Sequence, residues 1–332
     1  MLNSNPSRIT FGLSLTLGII IATSSNSWFT SWLGLELNLL SFIPIISSSF
    51  NSYSSEAALK YFLIQALGSA IILISATSMT LFLSSPSILI LGALLLKMGA
   101  APVHFWFPPI MQGVSWPHCI ILMTLQKIAP LILVSCTLSS SISSYMIQIS
   151  SILSAMVGAI GGLNQTFLRK ILAYSSINHM GWMLAAVLLS PNMLLTYIMI
   201  YSIVSASVVL LLYTNQIFHF KQMSSISNTK AKTLSFMALF SLGGLPPFLG
   251  FIPKLLIINF LASSSELLWL LLLLMSSLIT LFYYTRIILT TLTLSSPKLK
   301  SSFNNKFNYS FYIMSFINFV PLLFPLISFY QF

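Results

Sequence analysis

Apolar residues fill most of this chain in runs of about 20, and short polar segments separate the runs. The runs are continuous and do not alternate residue by residue, which favours membrane-spanning helices over a transmembrane barrel. We therefore predict an all-α, polytopic membrane protein with about eleven transmembrane helices. The predicted spans are residues 9–25, 28–49, 57–83, 87–108, 114–138, 146–164, 171–190, 193–214, 233–260, 266–293 and 309–330.

The polar segments between the spans are too short to form a soluble domain. The two longest, KQMSSISNTKAKT and SSPKLKSSFNNKFN, are predicted to be loops. The first apolar run is interpreted as a span and not as a cleaved secretory signal, because no small-residue cleavage site precedes a soluble region. We expect one polytopic membrane domain over residues 1–332, with about 28–260 as its characteristic core.

Composition supports a membrane protein. Hydrophobic residues make up 57% of the 332 residues and charged residues only 5%, which excludes an ordinary water-soluble core. The formal charge is +11, but the basic residues stand singly or in pairs in short loops, so we predict no nucleic-acid partner. Cys119 and Cys136 lack the spacing of a metal site and are interpreted as packing residues.

Loop charge predicts the orientation. With eleven spans, the basic loop residues all fall on one side of the membrane, and the opposite loops carry no lysine or arginine. The positive-inside rule then places the N-terminus inside and the C-terminus outside. The residues concerned are Arg8, Lys60, Arg169, Lys170, Lys221, Lys230, Lys232, Lys298, Lys300 and Lys306.

Four ionisable residues remain inside the predicted spans: Glu36, Lys97, Lys127 and Lys254. The first three lie near the centre of their spans, and Lys254 lies nearer an end. A charge buried in a membrane costs several kcal/mol unless it is paired or hydrated, so we expect these lysines to exchange protons near neutral pH. One acid cannot neutralise three lysines, so at most one pair can form within this chain.

A proline accompanies each of these lysines. Pro102, Pro130 and Pro253 should each remove one helical hydrogen bond. The carbonyls expected to be freed are those of Met98, Gln126 and Leu249. Freed carbonyls inside a protein attract water, and water beside such lysines would form a proton wire.

Histidines could extend that wire. His104 lies seven residues after Lys97 and would share its helical face if the helix continued past Pro102, whereas His118 and His179 lie near span ends. A hydrogen-bonded packing role is as good an interpretation as a proton relay for each of them. No metal-ligand spacing and no phosphate-binding glycine loop occurs, and the small residues of GAIGGLNQ suit close helix packing or a bend.

Six stretches of the chain closely resemble a known family. They are SNSWFTSWLGLELNLLSFIPI, EAALKYFLIQALGS, LLLKMGAAPVHFWFP, LMTLQKIAPLIL, GAIGGLNQTFLRKILAYSSINHMGWM and LGGLPPFLGFIPK. The family is NADH dehydrogenase subunit 2, the mitochondrially encoded antiporter-like subunit of respiratory complex I, in its animal form. It is similar to membrane subunits of cation/proton antiporters.

The resemblance implies proton translocation driven by quinone reduction elsewhere in the complex. By position, Glu36 and Lys97 look like the family's glutamate–lysine pair, and Lys127 and Lys254 like the lysines on its first and second broken helices. His104 and His179 also match family positions. The tail after about residue 262 is the least characteristic part.

The resemblance also implies a setting. The chain would be a multi-pass subunit of the inner mitochondrial membrane, with its N-terminus in the matrix and its C-terminus in the intermembrane space. Its partners would be other membrane-arm subunits, including neighbouring antiporter-like subunits, and we also expect membrane lipids, cardiolipin among them. It would be a subunit of the proton-translocating NADH:ubiquinone reductase without a redox centre, while the whole complex uses NADH, FMN, iron–sulfur clusters and ubiquinone.

Two other functions stay open from the residues alone. A free-standing cation/proton antiporter would use the same buried charges and would transport ions by itself. A structural spacer would anchor neighbouring subunits, although it gives no reason for three buried lysines.

Overall fold

Helices make up almost all of the chain that can be described. The computed structural model describes residues 6–47, 51–80, 86–138, 141–225, 229–293 and 318. The α-helices in these ranges are α1 Pro6–Ser24, α2 Trp28–Ser47, α3 Ser52–Thr80, α4 Pro86–Met98, α5 Phe107–Gly113, α6 Trp116–Met123, α7 Leu125–Cys136, α8 Ser141–Gly162, α9 Leu168–Leu189, α10 Pro191–Thr214, α11 Thr229–Gly243, α12 Phe251–Ser263 and α13 Leu267–Thr293. A short 3-10 helix covers Phe220–Ser225.

The helices confirm the prediction of a polytopic all-α membrane protein. In the described ranges, eight helical segments are long and apolar enough to span a membrane, and α6 with α7 counts as one of them. Shorter apolar helices correspond to α4, α11 and α12. Each of the first ten predicted spans thus matches one helix or a pair. The eleventh span, 309–330, and the loop lysines Lys298, Lys300 and Lys306 lie outside the described residues, apart from Asn318.

Two of the spans are broken. Thr124 separates α6 from α7 and has φ −112° and ψ −75°, away from helical values. The second break is longer: α11 ends at Gly243, α12 begins at Phe251, and Pro246 and Pro247 lie between them. Asn318 contacts this second break: its carbonyl accepts a hydrogen bond of 3.3 Å from the Leu249 amide.

The fourth predicted span is wrong in its second half. The helix α4 ends at Met98, ten residues before the predicted end of the span. Gly99 has φ +71° and donates to the Leu96 carbonyl at 3.1 Å, while Ala100 donates to Leu95 at 3.1 Å. These two bonds form a Schellman motif, which ends a helix at a left-handed glycine. The apolar run continues, but as turns up to the start of α5.

The predicted effect of the prolines is correct at one position only. Pro130 lies inside α7, where it leaves the Gln126 carbonyl without its helical donor. Pro102 lies beyond the end of α4 and therefore frees no carbonyl in that helix. Pro253 lies in the first turn of α12, and the Leu249 carbonyl accepts a 3.3 Å bond from the Ile252 amide. Chain breaks, more than prolines, expose backbone groups here.

Small residues place α9 at the centre of the fold. A β-carbon on Gly158 of α8 would lie 2.6 Å from the Tyr174 carbonyl oxygen of α9, so only glycine allows this approach. This confirms that GAIGGLNQ serves close helix packing. The helix α9 is buried on all its faces along most of its length, and it carries Ser176 and His179 into the interior.

The loops that carry basic residues meet at one end of the bundle, which we call the basic end. Arg169 donates to the Gln112 carbonyl at 3.0 Å, and Arg286 approaches the Gln165 carbonyl at 3.5 Å. The backbone of Phe167 also pairs with that of His219. This gathering agrees with the predicted partition of charge for the loops in the described ranges.

We predict that Gly99→Ala destabilises the protein, whereas Gly92→Ala within α4 does not. A left-handed alanine costs about 1 kcal/mol or more, and its β-carbon would lie 3.3 Å from Trp106 and Phe107 atoms. Gly92 has no neighbour within 4 Å of such a carbon. The readout is the fraction of assembled, detergent-solubilised protein that survives heating. Equal losses in the two variants would contradict the proposed end of α4.

Candidate functional site

All three predicted intramembrane lysines lie at buried helix ends. Lys97 is in the last turn of α4, and Lys127 and Lys254 are in the first turns of α7 and α12. Their exposed fractions are 6%, 3% and 5%. We call Glu36, Lys97, Lys127, His179 and Lys254 the buried row.

Aromatic faces and a carbonyl surround Lys127. Its Nζ donates to the backbone carbonyl of Ser176 in α9 at 3.2 Å. The same nitrogen lies 5.0 Å from the ring centroid of Phe107 and 5.8 Å from that of Tyr201. Aromatic faces attract a cation, so this environment compensates part of the desolvation of an ammonium group.

Lys254 caps the C-terminal end of α11 at the break in its span. Its Nζ donates to the Gly243 carbonyl, the last of α11, at 2.9 Å and lies 5.7 Å from the Trp182 ring centroid. Gly244 has φ +80°, and a β-carbon there would lie 2.9 Å from the lysine nitrogen. A glycine is therefore needed both for the turn and for the position of the lysine.

His179 lies near both Lys127 and Lys254. Its Nδ1 is 2.9 Å from the Tyr197 hydroxyl, and its ring centroid is 4.9 Å from that of Tyr201. The imidazole also interacts with the Leu242 backbone and with the charges of both lysines. A cavity of about 10 Å³, close to the size that one water needs, adjoins the ring.

Glu36 and Lys97 are near each other but are not joined. Their charges interact, yet the one ion pair within 4 Å in the described ranges is Lys60 with Glu56. The Glu36 carboxylate is half-buried, and its Oε2 has no hydrogen-bond partner among the residues that can be described. The structure thus shows the predicted pair in an open arrangement.

A hydrogen-bonded triad joins the helix of Glu36 to the neighbour of Lys127. Gln126 donates through Nε2 to Asn38 Oδ1 at 3.0 Å and accepts from the Tyr61 hydroxyl at 3.1 Å. One turn farther along α3, Gln65 donates to the Lys97 carbonyl at 3.1 Å. These amides connect α2, α3, α4 and α7, so a shift of one helix would be felt at the others.

His104 does not join the buried row through a shared helix. The helix of Lys97 ends before it, so the two residues do not share a helical face. Its Nδ1 lies 3.2 Å from the Pro102 carbonyl, and its ring lies 4.3 Å from that of Phe105. These contacts favour a packing role.

Several polar members of the site were not predicted. Asn38 and Gln126 lie within two residues of a predicted charge, which is a usable signal in an apolar run. Tyr61 and Tyr197 gave no signal, because tyrosine is common in membrane helices and its partner lies far along the chain. Only the packing of the helices identifies them.

The site is suited to acid–base chemistry. Lysine ammonium, glutamate and imidazole groups can hold and release protons, and tyrosine hydroxyls can bridge them. The helix N-termini of α7 and α12 destabilise the positive charges of Lys127 and Lys254. The carbonyl and aromatic contacts of these lysines stabilise the same charges. Among the described residues, no group of three or more histidine, cysteine, aspartate or glutamate side chains could hold a metal ion.

Comparison with known proteins gives consistent results. Residues 25–280 match the model of the transmembrane family NADH:quinone oxidoreductase/Mrp antiporter. NADH-ubiquinone oxidoreductase chain 2 of Anopheles gambiae is 45% identical over 93% of this chain and 94% of its own length. The protein of the same name from Crocidura suaveolens gueldenstaedtii is 38% identical over 95% of this chain and 92% of its own.

Solved structures share the fold. A chain of respiratory complex I from Thermus thermophilus with bound aureothin matches with a TM-score of 0.82 at 23% identity, over 97% of this chain and 79% of that one. A chain of the Mrp complex from Dietzia sp. matches with a TM-score of 0.77 at 19% identity, over 86% of this chain and 60% of that one.

Proposed function

The chain belongs to the family of NADH-ubiquinone oxidoreductase chain 2, and from this premise we propose how it acts within a proton-translocating NADH:ubiquinone reductase. It is a membrane-arm subunit that moves protons along the buried row while electron transfer takes place in other subunits. This chain needs no cofactor of its own. NADH, FMN, iron–sulfur clusters and ubiquinone serve the rest of the complex.

One observation carries the proposal: three buried lysines lie at helix ends inside the bundle, and a buried histidine lies near two of them. Lys127 and Lys254 both act electrostatically on His179. The imidazole can accept a proton at one ring nitrogen and release one from the other, which suits a relay. His179 is therefore proposed as the relay between Lys127 and Lys254, while the contacts of His104 favour the packing alternative for that residue.

Glu36 and Lys97 are proposed to act as a switch. Two opposite charges at about 4 Å attract by about 4 kcal/mol at an effective dielectric near 20. Closing and opening the pair would change how strongly Lys97 holds its proton, and the triad around Gln126 would couple that change to Lys127. A static ion pair that only joins the helices is the alternative, and the open arrangement speaks against it.

The proposed setting is the inner mitochondrial membrane. The chain contacts other subunits of the complex, including neighbouring antiporter-like subunits, and membrane lipids such as cardiolipin. The basic end would face the matrix, which puts the N-terminus in the matrix and the C-terminus in the intermembrane space.

A free-standing cation/proton antiporter is the second candidate function, because the matched family model also bears the name of the Mrp antiporters. Purification in mild detergent separates the two. A large assembly that oxidises NADH supports the first function. An isolated oligomer that transports ions after reconstitution supports the second.

We expect Lys127→Met to remove proton transfer without preventing assembly. Methionine keeps the length of the side chain and tolerates the aromatic surroundings, but it cannot carry a proton. The assembled complex should pump protons at about half the normal rate or less, as measured in reconstituted vesicles during NADH oxidation. Lys221→Met, at an exposed position of the basic end, is the control. Normal pumping by an assembled Lys127→Met complex would refute the role of this lysine.

The orientation predicts the accessibility of introduced cysteines. In a background with the exposed Cys136 replaced by serine, Lys170→Cys and Lys221→Cys should resist an impermeant thiol reagent applied to intact mitoplasts. Glu266→Cys, in the opposite loop, should react. The reverse pattern would invert the topology.

A further inference from the structure

A cavity at the basic end lies apart from the buried row. Its volume is about 430 Å³, and it opens between the start of α3, α5 and the loop before α9. Its polar lining includes Glu56, Lys60, Gln112 and Arg169. None of these residues belongs to the proposed proton path, so the cavity calls for a separate explanation.

Arg169 is held in place without an acidic partner in the described ranges. Its guanidinium carbon lies 5.0 Å from the Trp116 ring centroid and 4.7 Å from that of Phe218. One nitrogen donates to the Gln112 carbonyl at 3.0 Å, and the buried Nε has no hydrogen-bond partner among the described residues. A fixed arginine that lines the cavity is suited to bind an anion through its guanidinium group.

The charge of the lining is also positive. Arg169 and Lys60 contribute two positive charges and Glu56 one negative charge, which leaves +1. Glu56 is paired with Lys60 at 2.5 Å, so its repulsion of an anion is partly offset. Because the paired charges of Glu56 and Lys60 largely cancel, Arg169 supplies the net charge of +1, and this charge favours an anionic group.

An exposed apolar stripe leads away from the cavity along α3. Four residues at helical spacing after Lys60 share this face. They are Leu63, Leu67, Ile71 and Ile74, with exposed fractions of 60%, 61%, 36% and 62%. The stripe from Lys60 to Ile74 is about 21 Å long at 1.5 Å per residue, which exceeds the roughly 15 Å of one leaflet of the hydrocarbon core.

Aromatic side chains stand at the mouth of the cavity. Tyr53 is 76% exposed and Phe167 is 42% exposed, and both line the cavity. Aromatic residues are typical of the membrane–water boundary, where lipid headgroups lie. Along α3 the order is Tyr53, then the charged lining residues Glu56 and Lys60, then the apolar stripe. The polar lining is therefore directly followed by the stripe, as the phosphate of a phospholipid is followed by its acyl chains.

We propose that this cavity binds the phosphate of an anionic membrane phospholipid, with Arg169 and Lys60 as its basic ligands and the α3 stripe as the acyl-chain contact. The apolar stripe favours a phospholipid over free phosphate, because free phosphate has no acyl chain to contact it. The proposal gives a site to the expected lipid contact. It depends on membrane insertion and not on proton transfer, so it can fail while the proposed function holds.

The test uses the whole complex, purified in mild detergent and delipidated. The probe is phosphatidylglycerol with a photoreactive group on its acyl chain, and mass spectrometry locates the label. We expect labelling of the α3 stripe that excess phosphatidylglycerol suppresses, whereas equal amounts of phosphatidylcholine or inorganic phosphate do not.

Variants make the test specific. Arg169→Gln should lower the labelling about fivefold, and Lys221→Gln, an exposed basic residue at the same end, should leave it unchanged. If Arg169→Gln does not assemble, Lys60→Gln serves instead and should give a similar loss. The proposal is overturned by competition from phosphatidylcholine or phosphate, by unchanged labelling in the variants, or by a wild-type stripe that a neighbouring subunit keeps unlabelled.

Discussion

Backbone hydrogen bonding inside the membrane is the constraint on which this structure depends. Helices that end within the bundle leave amides and carbonyls that lipid cannot satisfy, at a cost of several kcal/mol each. Side chains meet that need here: Trp106 donates to the Leu96 carbonyl at 3.0 Å, Gln65 to that of Lys97 at 3.1 Å, and Lys254 to that of Gly243 at 2.9 Å. Lys254 is thus held by the open end of α11, and one contact serves both the fold and the buried row.

Much of the fold could be predicted from the sequence, because hydropathy reports directly which segments avoid water. The ten described spans were predicted from hydropathy, whereas two broken helices were implied only by the family resemblance. The end of α4 was not predicted. Hydropathy measures an apolar run and not its backbone, and residues 99–106 stay apolar while Gly99 turns the chain.

The charged residues of the candidate site could be predicted from the sequence, but the hydrogen bonds that connect its residues could not. A charged residue in an apolar run is conspicuous, so the lysines were found. The contact of Gln126 with Asn38 spans 88 residues of sequence, and only helix packing creates it. Lys97 was expected at mid-helix but lies in the last turn of α4, where it remains 6% exposed because the protein itself covers that end. Burial by neighbours, and not depth along a span, explains its position.

The central claim is that a change at Glu36 and Lys97 is passed on to Lys127. The direct measurement is proton pumping per NADH oxidised by assembled complexes carrying Glu36→Gln, Lys97→Met or both changes. The account predicts a similar loss in each single variant and little further loss in the double variant, because both residues act on one step. If Glu36→Gln only lowers the yield of assembled complex and pumping stays normal, the pair is structural and the account is wrong.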